Sequence, residues 1–357
     1  MILSSHSNNY YRTIHLNYYE ERISGMKRID LENHFYDQSL IDALAGRTMP
    51  PRYDAKTDVI HWTDNITMPQ GALLQKLLDV GEKRLELMDR QGITQAVLSC
   101  SPGAEELPAA DSIAACRATN DALYQLTRRH PDRFLGSAIL PVGDVDAALE
   151  ELERCVKEYD FVSWHTHSNY GDTSADDPRY RPLFHKAAEL GVYVYLHPQL
   201  PKGQRYEGFG FTFAGPGLGF TVDTVTTLLR MVVSGLFDEV PQLKLVLGHL
   251  GEGLPFLMER IENRIKFLPN PALQCKQDLR YYFRNNIWVT TSGNMSKEAF
   301  QCTKDVLGMD RILFASDYPY ESVEDMMTFL SQLPLSQEET EQLYFRNAQQ
   351  ALGIPQI

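Results

Sequence analysis

Short apolar runs recur along the chain, and amphipathic stretches separate them. Eight of these runs are predicted strands: residues 27–35, 94–100, 133–140, 160–166, 191–197, 244–249, 286–292 and 311–316. They are continuously apolar rather than alternating, which is typical of strands buried on both faces of a parallel sheet. Helical patterns lie between them at residues 73–92, 114–132 and 146–160, residues 177–191 and 221–237 are each a loop followed by a helix, and the last helices include residues 335–353. Eight repeats of strand and helix favour an α/β fold of the (β/α)8 TIM-barrel type over an open doubly wound sheet.

Two segments are too long to be ordinary barrel connections. Residues 37–72 follow the first predicted strand, and residues 198–222 follow the fifth. Long irregular insertions in a compact domain are usually functional lids or binding loops. Because both follow strands, both should rise from the C-terminal face of the barrel, where active sites sit.

Polar side chains stand where several predicted strands end. The first strand ends in Glu32-x-His34, the fifth in His197, the sixth in His249, and the eighth in Asp317. Side chains two apart on a strand share a face, so Glu32 and His34 can both point into the barrel mouth. Carboxylates and imidazoles that converge on one point are what a divalent cation needs from a protein. The strand ends therefore predict a metal site at the barrel mouth.

Charge and cysteine content exclude several other classes of protein. The 357-residue chain carries a net charge of −13 and has no Lys/Arg run, so it lacks the footprint of a nucleic-acid binder. Its five cysteines are widely spaced without a CxxC pair, which favours a reducing cytoplasm. We expect no membrane span and no signal peptide. The predicted organisation is a polar N-terminal extension, residues 1–26, before one barrel domain, residues 27–357.

The order of these motifs resembles a known family. E-x-H, then H-P, then G-H-x-G-E-G, then S-D-Y-P is similar to the amidohydrolase superfamily, in its amidohydrolase-2 branch. The most specific segments are residues 234–264, 286–294 and 310–321. They resemble the metal-dependent hydroxybenzoate decarboxylases of the γ-resorcylate and 2,3-dihydroxybenzoate type. The resemblance runs from about Ile29 to Gly353 and implies the barrel fold already predicted.

The resemblance also implies roles for single residues. Four match the metal ligands of that family: Glu32, His34, His197 and Asp317. His249 matches a histidine beside the metal, Glu252 its acidic partner, and Arg260 an arginine that supports this catalytic pair. The implied cofactor is one divalent ion per subunit, Mn(II) before Zn(II). The implied partners are a small aromatic acid as substrate and further copies of the chain, in a homodimer or homotetramer.

The implied reaction is non-oxidative decarboxylation of a hydroxylated aromatic acid. The ring carbon that bears the carboxylate is protonated and CO2 then leaves, with Asp317 as the expected proton donor and His249–Glu252 in support. One alternative is a metal-dependent hydrolase or hydratase that acts on a lactone, ester or unsaturated acid. Another is a binding protein with a degenerate barrel, although the complete ligand set disfavours it.

The fourth predicted strand departs from the family pattern. It is followed by Trp164-His165-Thr166-His167, and no lysine stands there to bridge two metal ions, which favours one metal. The two histidines are either loop or pocket residues, or they contribute a substrate contact or an extra metal ligand. Arg52 is a candidate contact for the substrate carboxylate. Aromatic residues that suit a flat substrate crowd the second insertion and the region after the eighth strand: Tyr206, Phe209, Phe211, Phe213, Phe220, Tyr318 and Tyr320.

Overall fold

Eight parallel strands form one sheet whose spatial order follows the chain. The computed structural model describes residues 25–201, 203–206, 208–268 and 270–354, so most of the predicted N-terminal extension lies outside the described residues. The strands are β1 (Ile29–Phe35), β2 (Gln95–Cys100), β3 (Phe134–Ala138), β4 (Ser163–His167), β5 (Tyr193–His197), β6 (Leu245–Leu247), β7 (Ile287–Thr290) and β8 (Ile312–Leu313). Each lies within its predicted run, except that β4 extends one residue beyond it. The prediction of a (β/α)8 barrel is confirmed.

Hydrogen bonds between β1 and the segment after β8 close the barrel. The backbone N–H of Asp317 donates to the carbonyl of Glu32 at 3.0 Å. One step further along, the N–H of His34 donates to the carbonyl of Tyr318 at 2.7 Å. The chain after β8 therefore runs beside β1, which brings the first and last predicted metal ligands into contact.

A bulge in β1 changes which side chains face the barrel interior. Asp30 pairs with Ala96 and Asn33 with Leu98, so the two residues between Asp30 and Asn33 oppose one residue of β2. Such a bulge re-aims side chains and is common beside active sites. Leu31 consequently packs in the interior apolar cluster, and Glu32 still faces the barrel mouth.

Helices follow the strands and enclose the sheet. The longer ones are Glu82–Gln91, Ala109–Arg129, Val145–Tyr159, Arg181–Glu189, Gly219–Val233, Leu254–Phe267, Lys297–Leu307 and Val323–Ser331. The shorter ones are Gln38–Ala45, Ala72–Leu78, Gly210–Thr212, Leu236–Glu239, His249–Glu252, Leu279–Asn285, Gln337–Glu341 and Asn347–Leu352. Tighter or wider helical turns occupy Ala104–Glu106, Pro178–Tyr180, Gln204–Tyr206, Phe213–Gly217, Met309–Arg311 and Gln342–Arg346. In the described ranges, no helix is both long and apolar enough to cross a membrane.

Local sequence explains where helices begin and break. Val145–Tyr159 begins after Asp144, whose side chain accepts a hydrogen bond from the N–H of Ala147 at 3.1 Å. The predicted continuous helix over residues 73–92 is wrong. It is two helices, because the Asp79 side chain accepts a hydrogen bond from the N–H of Gly81 and stabilises a turn between them.

The first insertion is more regular than the sequence indicates. Residues 37–72 hold the helix Gln38–Ala45 and a three-stranded antiparallel sheet of Arg52–Asp54, Val59–His61 and Thr67–Pro69. A second small sheet, Asn169–Tyr170 with Thr173–Ser174, follows β4. The two insertions, residues 37–72 and 198–222, reach the C-terminal face of the barrel, where their side chains help to enclose a cavity.

Candidate metal centre

The four predicted metal ligands lie side by side at the C-terminal mouth of the barrel. His34 Nε2 is 3.2 Å from Asp317 Oδ1 and 3.5 Å from Glu32 Oε1. His197 Nε2 is 3.6 Å from the same oxygen of Glu32. All four side chains are buried. The structure thus brings together ligands from β1, β5 and the segment after β8.

The ligand atoms have the chemistry that a divalent ion requires. Glu32 Oε1, His34 Nε2 and Asp317 Oδ1 are buried and have no hydrogen-bond partner among the described residues. A buried polar atom left without a partner costs about 1–3 kcal/mol, so three of them within contact distance fit a divalent cation. His197 Nδ1 donates to the carbonyl of Pro198 at 2.6 Å, which leaves its Nε2 lone pair free for a metal.

Electrostatics at this point favour a positive charge. Burial lowers the pKa of the His34 imidazole, but the carboxylates of Asp317 and Glu32 outweigh burial and raise that pKa to about 9. Burial raises the pKa of Asp317, yet the neighbouring imidazoles of His249 and His34 bring it well below its usual range. Two carboxylates and two imidazoles suit Mn(II) or Zn(II).

His249 and Glu252 form a hydrogen-bonded pair beside the ligands. His249 Nδ1 donates to Glu252 Oε1 at 2.6 Å, and Glu252 Oε2 accepts from Thr221 Oγ1 at 2.7 Å. His249 Nε2 lies 3.7 Å from Asp317 Oδ2, which is the oxygen that faces away from His34. Burial lowers the pKa of His249, but the charge of Glu252 and the nearby carboxylate of Asp317 raise it well above its usual value. His249 is therefore able to hold a proton next to Asp317.

The turn that carries this pair has an unusual backbone. His249 does not end a strand, because β6 stops at Leu247 and the histidine lies in the turn that follows. Asp317 likewise lies four residues after β8. His249, Glu252 and Asp317 have positive φ angles of 53°, 55° and 60°. Left-handed backbone at non-glycine residues is strained and is concentrated at functional sites.

A close approach fixes the place of the His249 ring. Gly293 has a φ of 61°, and a Cβ built there would lie 2.7 Å from His249 Cδ2. A side chain at residue 293 would therefore collide with the imidazole. Gly293 follows strand β7, so the chain just beyond this strand leaves the space that the His249 ring occupies.

A cavity of about 620 Å³ opens onto two of the metal ligands, His197 and Asp317, and onto the His249–Glu252 pair. Apolar side chains of the two insertions, together with Leu73 directly after the first, line much of it: Trp62, Met68, Leu73, Phe211, Pro216 and Phe220. Polar side chains also line it: His197, Gln199, His249, Glu252, Asn294, Asp317 and Glu321. Of the aromatic residues singled out in the sequence, Phe211, Phe220 and Tyr320 line the cavity, whereas Phe209 is 75% exposed.

The two candidate arginines are not part of this cluster. Arg260 is exposed on the helix Leu254–Phe267, and within the described ranges it has no hydrogen bond or ion pair with His249 or Glu252. Its role in supporting the catalytic pair stays a prediction. Arg52 is half-buried in the small sheet and is not among the described residues that line the cavity.

The structure adds two positioning residues that the sequence analysis missed. The hydroxyl of Tyr195 donates to Glu32 Oε2, the carboxylate oxygen that does not face the other ligands. Buried Arg84 donates to the carbonyl of His34 at 2.7 Å, and burial lowers the pKa of its guanidinium to about 10. Tyr195 stands two residues before His197 on one strand, and this spacing was the signal that both point inward.

The two histidines of the fourth strand also face the barrel interior. His165 and His167 belong to β4 and are not loop residues. His167 Nδ1 contacts the buried carboxylate of Glu105. His165 Nε2 is buried and has no hydrogen-bond partner in the described part of the chain. Nε2 of His167 is likewise buried without a hydrogen-bond partner in the described part of the chain, so both histidines keep a free ring nitrogen in the barrel interior.

Known proteins resemble this chain in sequence and in fold. The sequence model of the amidohydrolase family matches residues 60–354. The chain is 40% identical to the γ-resorcylate decarboxylase of Rhizobium sp. (strain MTP-10005) over 265 residues, 71% of this chain and 80% of that protein.

Solved structures agree with the sequence relatives. A 2,6-dihydroxybenzoate decarboxylase complexed with 2,6-dihydroxybenzoate is 32% identical, with a TM-score of 0.80 over 92% of this chain and 99% of that one. A dihydroxybenzoic acid decarboxylase from Polaromonas sp. JS666, with bound manganese and the inhibitor 2-nitroresorcinol, is 31% identical. Its TM-score is also 0.80, over 93% of this chain and 98% of that one.

Proposed function

The chain belongs to the amidohydrolase family, and from this premise we propose that it is a metal-dependent, non-oxidative decarboxylase of a hydroxylated aromatic acid. The observation that carries the proposal is the group of buried, unpartnered ligand atoms at the floor of a cavity with an apolar wall. The relatives named as γ-resorcylate and dihydroxybenzoate decarboxylases support the choice of reaction. The manganese bound to the Polaromonas enzyme supports Mn(II) before Zn(II).

The chemistry needs a proton donor beside the ring. Direct loss of CO2 from an aryl carboxylate would leave an unstable aryl carbanion. When a hydroxyl lies ortho to the carboxylate, the ring carbon can accept a proton first, because the oxygen stabilises the resulting dienone-like ring. The bond to the carboxylate then breaks, its electron pair returns to the ring, and CO2 leaves. One proton is taken up for each CO2 released.

The metal site accounts for how the acid is held. Glu32, His34, His197 and Asp317 would hold the divalent ion, which would supply positive charge near the substrate carboxylate and the ortho oxygen. Tyr195 fixes the Glu32 carboxylate, and Pro198 fixes the tautomer of His197. Such supporting hydrogen bonds keep ligand atoms oriented toward one point.

The residues beside the metal account for the proton. We assign ring protonation to Asp317, which faces the ligand cluster with Oδ1 and the cavity-lining His249 with Oδ2. As an imidazolium, His249 would carry a second proton on Nε2, 3.7 Å from that second oxygen, and could pass it on. Glu252, held by Thr221, keeps the imidazole in the tautomer that presents Nε2 to Asp317.

The cavity wall accounts for a flat substrate. Trp62 and Phe220 come from different insertions and line the same cavity as Asp317. Their rings offer broad apolar surface to an aromatic acid and keep water away from the protonated ring.

The proposal is tested with metal-free chain and Mn(II)-loaded chain, each incubated with hydroxybenzoates and with simple lactones. We expect CO2 release from a 2-hydroxybenzoate-type acid by the Mn(II)-loaded protein alone. Opening of lactones without CO2 release would instead support the hydrolase alternative. Stoichiometric metal with no turnover of either class would overturn the proposed function.

We also propose that the chain forms a homodimer or homotetramer. Phe256 is 82% exposed on its helix and Phe209 is 75% exposed in the second insertion. Large exposed aromatic side chains are typical of protein–protein contacts. Light scattering coupled to gel filtration should give a mass of at least twice 40.7 kDa.

A further inference from the structure

We infer that His165 is a fifth protein ligand of the metal and that it brings a third imidazole to the site. The inference rests on the proposed function only for the presence of a metal, since the reaction itself does not enter it. It concerns a side chain of β4, a strand that supplies none of the four ligands assigned above.

The His165 ring lies where a ligand would lie. Its centroid is 5.0 Å from that of His197 and 5.5 Å from that of His34, and the latter two centroids are 4.9 Å apart. A metal-bound imidazole has its centroid roughly 3.2 Å from the ion, given a metal–nitrogen bond of about 2.0–2.1 Å. Two rings at roughly 90–120° around one ion would then be about 4.5–5.5 Å apart. All three observed spacings fall in that interval, but so does the 5.3 Å between the rings of His167 and His197, so the spacing permits ligation by His165 without singling it out.

The ligand atoms give a second and independent observation. Nitrogen atoms of His34, His165 and His197 all lie within 4.8 Å of one another. Nε2 of His165 is buried and unpartnered among the described residues, like Nε2 of His34. A nitrogen left in that condition costs about 1–3 kcal/mol, which a metal bond would remove.

The surroundings hold the ring in place for this role. In the register of β4 and β5, His165 is opposite Tyr195, and the two rings stack with centroids 5.3 Å apart and planes 25° apart. Tyr195 also binds Glu32, so one tyrosine positions a carboxylate ligand and the proposed imidazole ligand. His167, two residues on, instead contacts the carboxylate of Glu105.

A third imidazole would raise the affinity of the site for Zn(II) more than its affinity for Mn(II). Imidazole nitrogen suits Zn(II), Co(II) and Ni(II) better than it suits Mn(II), which takes mostly oxygen ligands. We therefore expect His165 to contribute more to Zn(II) affinity than to Mn(II) affinity. Replacing His165 by phenylalanine keeps an aromatic ring against Tyr195 and removes only the nitrogen donors.

The experiment counts imidazoles on the ion. The full chain is freed of metal and loaded with one equivalent of Zn(II), and the number of bound imidazoles is measured by X-ray absorption spectroscopy. We expect three in the natural sequence, two in His165→Phe, and three in the control His167→Gln, which keeps a hydrogen-bonding group near Glu105. In chelator competition, His165→Phe should lose Zn(II) affinity by about 10–100-fold and Mn(II) affinity by less.

The outcomes separate this inference from the proposed function. Two imidazoles on Zn(II) in the natural sequence would overturn the role of His165 and leave the decarboxylase proposal intact. No stoichiometric metal binding by the natural sequence would overturn both. If His165→Phe does not fold, the imidazole count of the natural sequence still decides.

Discussion

Replacing His249 by asparagine should stop the reaction without releasing the metal. His249 Nε2 faces Oδ2 of Asp317, whereas the cluster of ligand atoms faces Oδ1. The loss of the imidazole therefore leaves the ligand set complete. Asparagine is the suitable replacement because residue 249 has a φ of 53°, a left-handed conformation that asparagine tolerates well.

The expected loss follows from what the imidazole does. General acid–base catalysis contributes about 10²–10⁴-fold, so kcat of His249→Asn should fall by that factor, or about 2.7–5.4 kcal/mol in the activation barrier. The variant also loses one hydrogen bond to a charged group, which contributes about 1.5–3 kcal/mol to stability. The asparagine amide can donate to Glu252 in its place, so the melting temperature should fall only modestly.

Glu252→Gln is the matched variant. Its side-chain oxygen can still accept from His249 Nδ1, and Thr221 can still bind the same side chain, so orientation is weakened but the proton-transfer group stays. We expect a loss of about 10–100-fold in kcat, the range typical of residues that orient a catalytic group.

Metal content, melting temperature and CO2 release are measured on the same samples of both variants. If His249→Asn turns over like the natural sequence, its role in proton transfer is wrong. If it loses its metal, His249 is a metal ligand. The assignment of Asp317 Oδ1 to the metal and Oδ2 to His249 is then wrong. A large fall in melting temperature with unchanged activity per folded molecule would make the histidine only a structural part of its turn.

Three further predictions concern the metal and the substrate. Elemental analysis should find about one Mn or Zn per chain, and His197→Ala should lose most of it; full retention would contradict the assignment. Tyr195→Phe removes the hydroxyl that holds Glu32 and should weaken metal affinity by about 10–100-fold, whereas Tyr193→Phe, on the same strand, should not. A 2-hydroxybenzoate-type acid should be decarboxylated and its 3-hydroxy isomer should not; equal rates would refute ring protonation, since a meta oxygen cannot stabilise the protonated ring.

The sequence was most informative about the barrel and the ligands. Strands of a closed parallel sheet are buried on both faces, so each appears as an apolar run, and all eight runs are strands. A polar residue at the end of such a run has few reasons to be there other than function. The contrast between an apolar run and the polar residue at its end singled out Glu32, His34, His197 and Asp317. The structure brings the side chains of these four residues together.

Features that depend on pairing between distant segments were not visible. Strict alternation along β1 would put Asp30 on the same face as Glu32, but the bulge lets Asp30 accept hydrogen bonds from the backbone and side chain of Ser316, 286 residues away. The antiparallel sheet in residues 37–72 has strands of three residues, too short to give a periodic signal. Arg260 was carried over from a motif, and a motif match does not report which way a helix faces.

The backbone hydrogen bonds that close the barrel, between β1 and the segment after β8, form the closing seam, and this seam shares residues with the metal site. The same backbone bonds that join β1 to the segment after β8 run through Glu32, His34 and Asp317, which are three of the four assigned ligands. Asp30 ties Ser316 to the same seam. The ligand set can therefore form only once the first and last strands have met, and a cation bound there would stabilise the closed barrel over any open form. This coupling gives a physical reason why buried, mutually repelling carboxylates are retained at the point where the sheet closes.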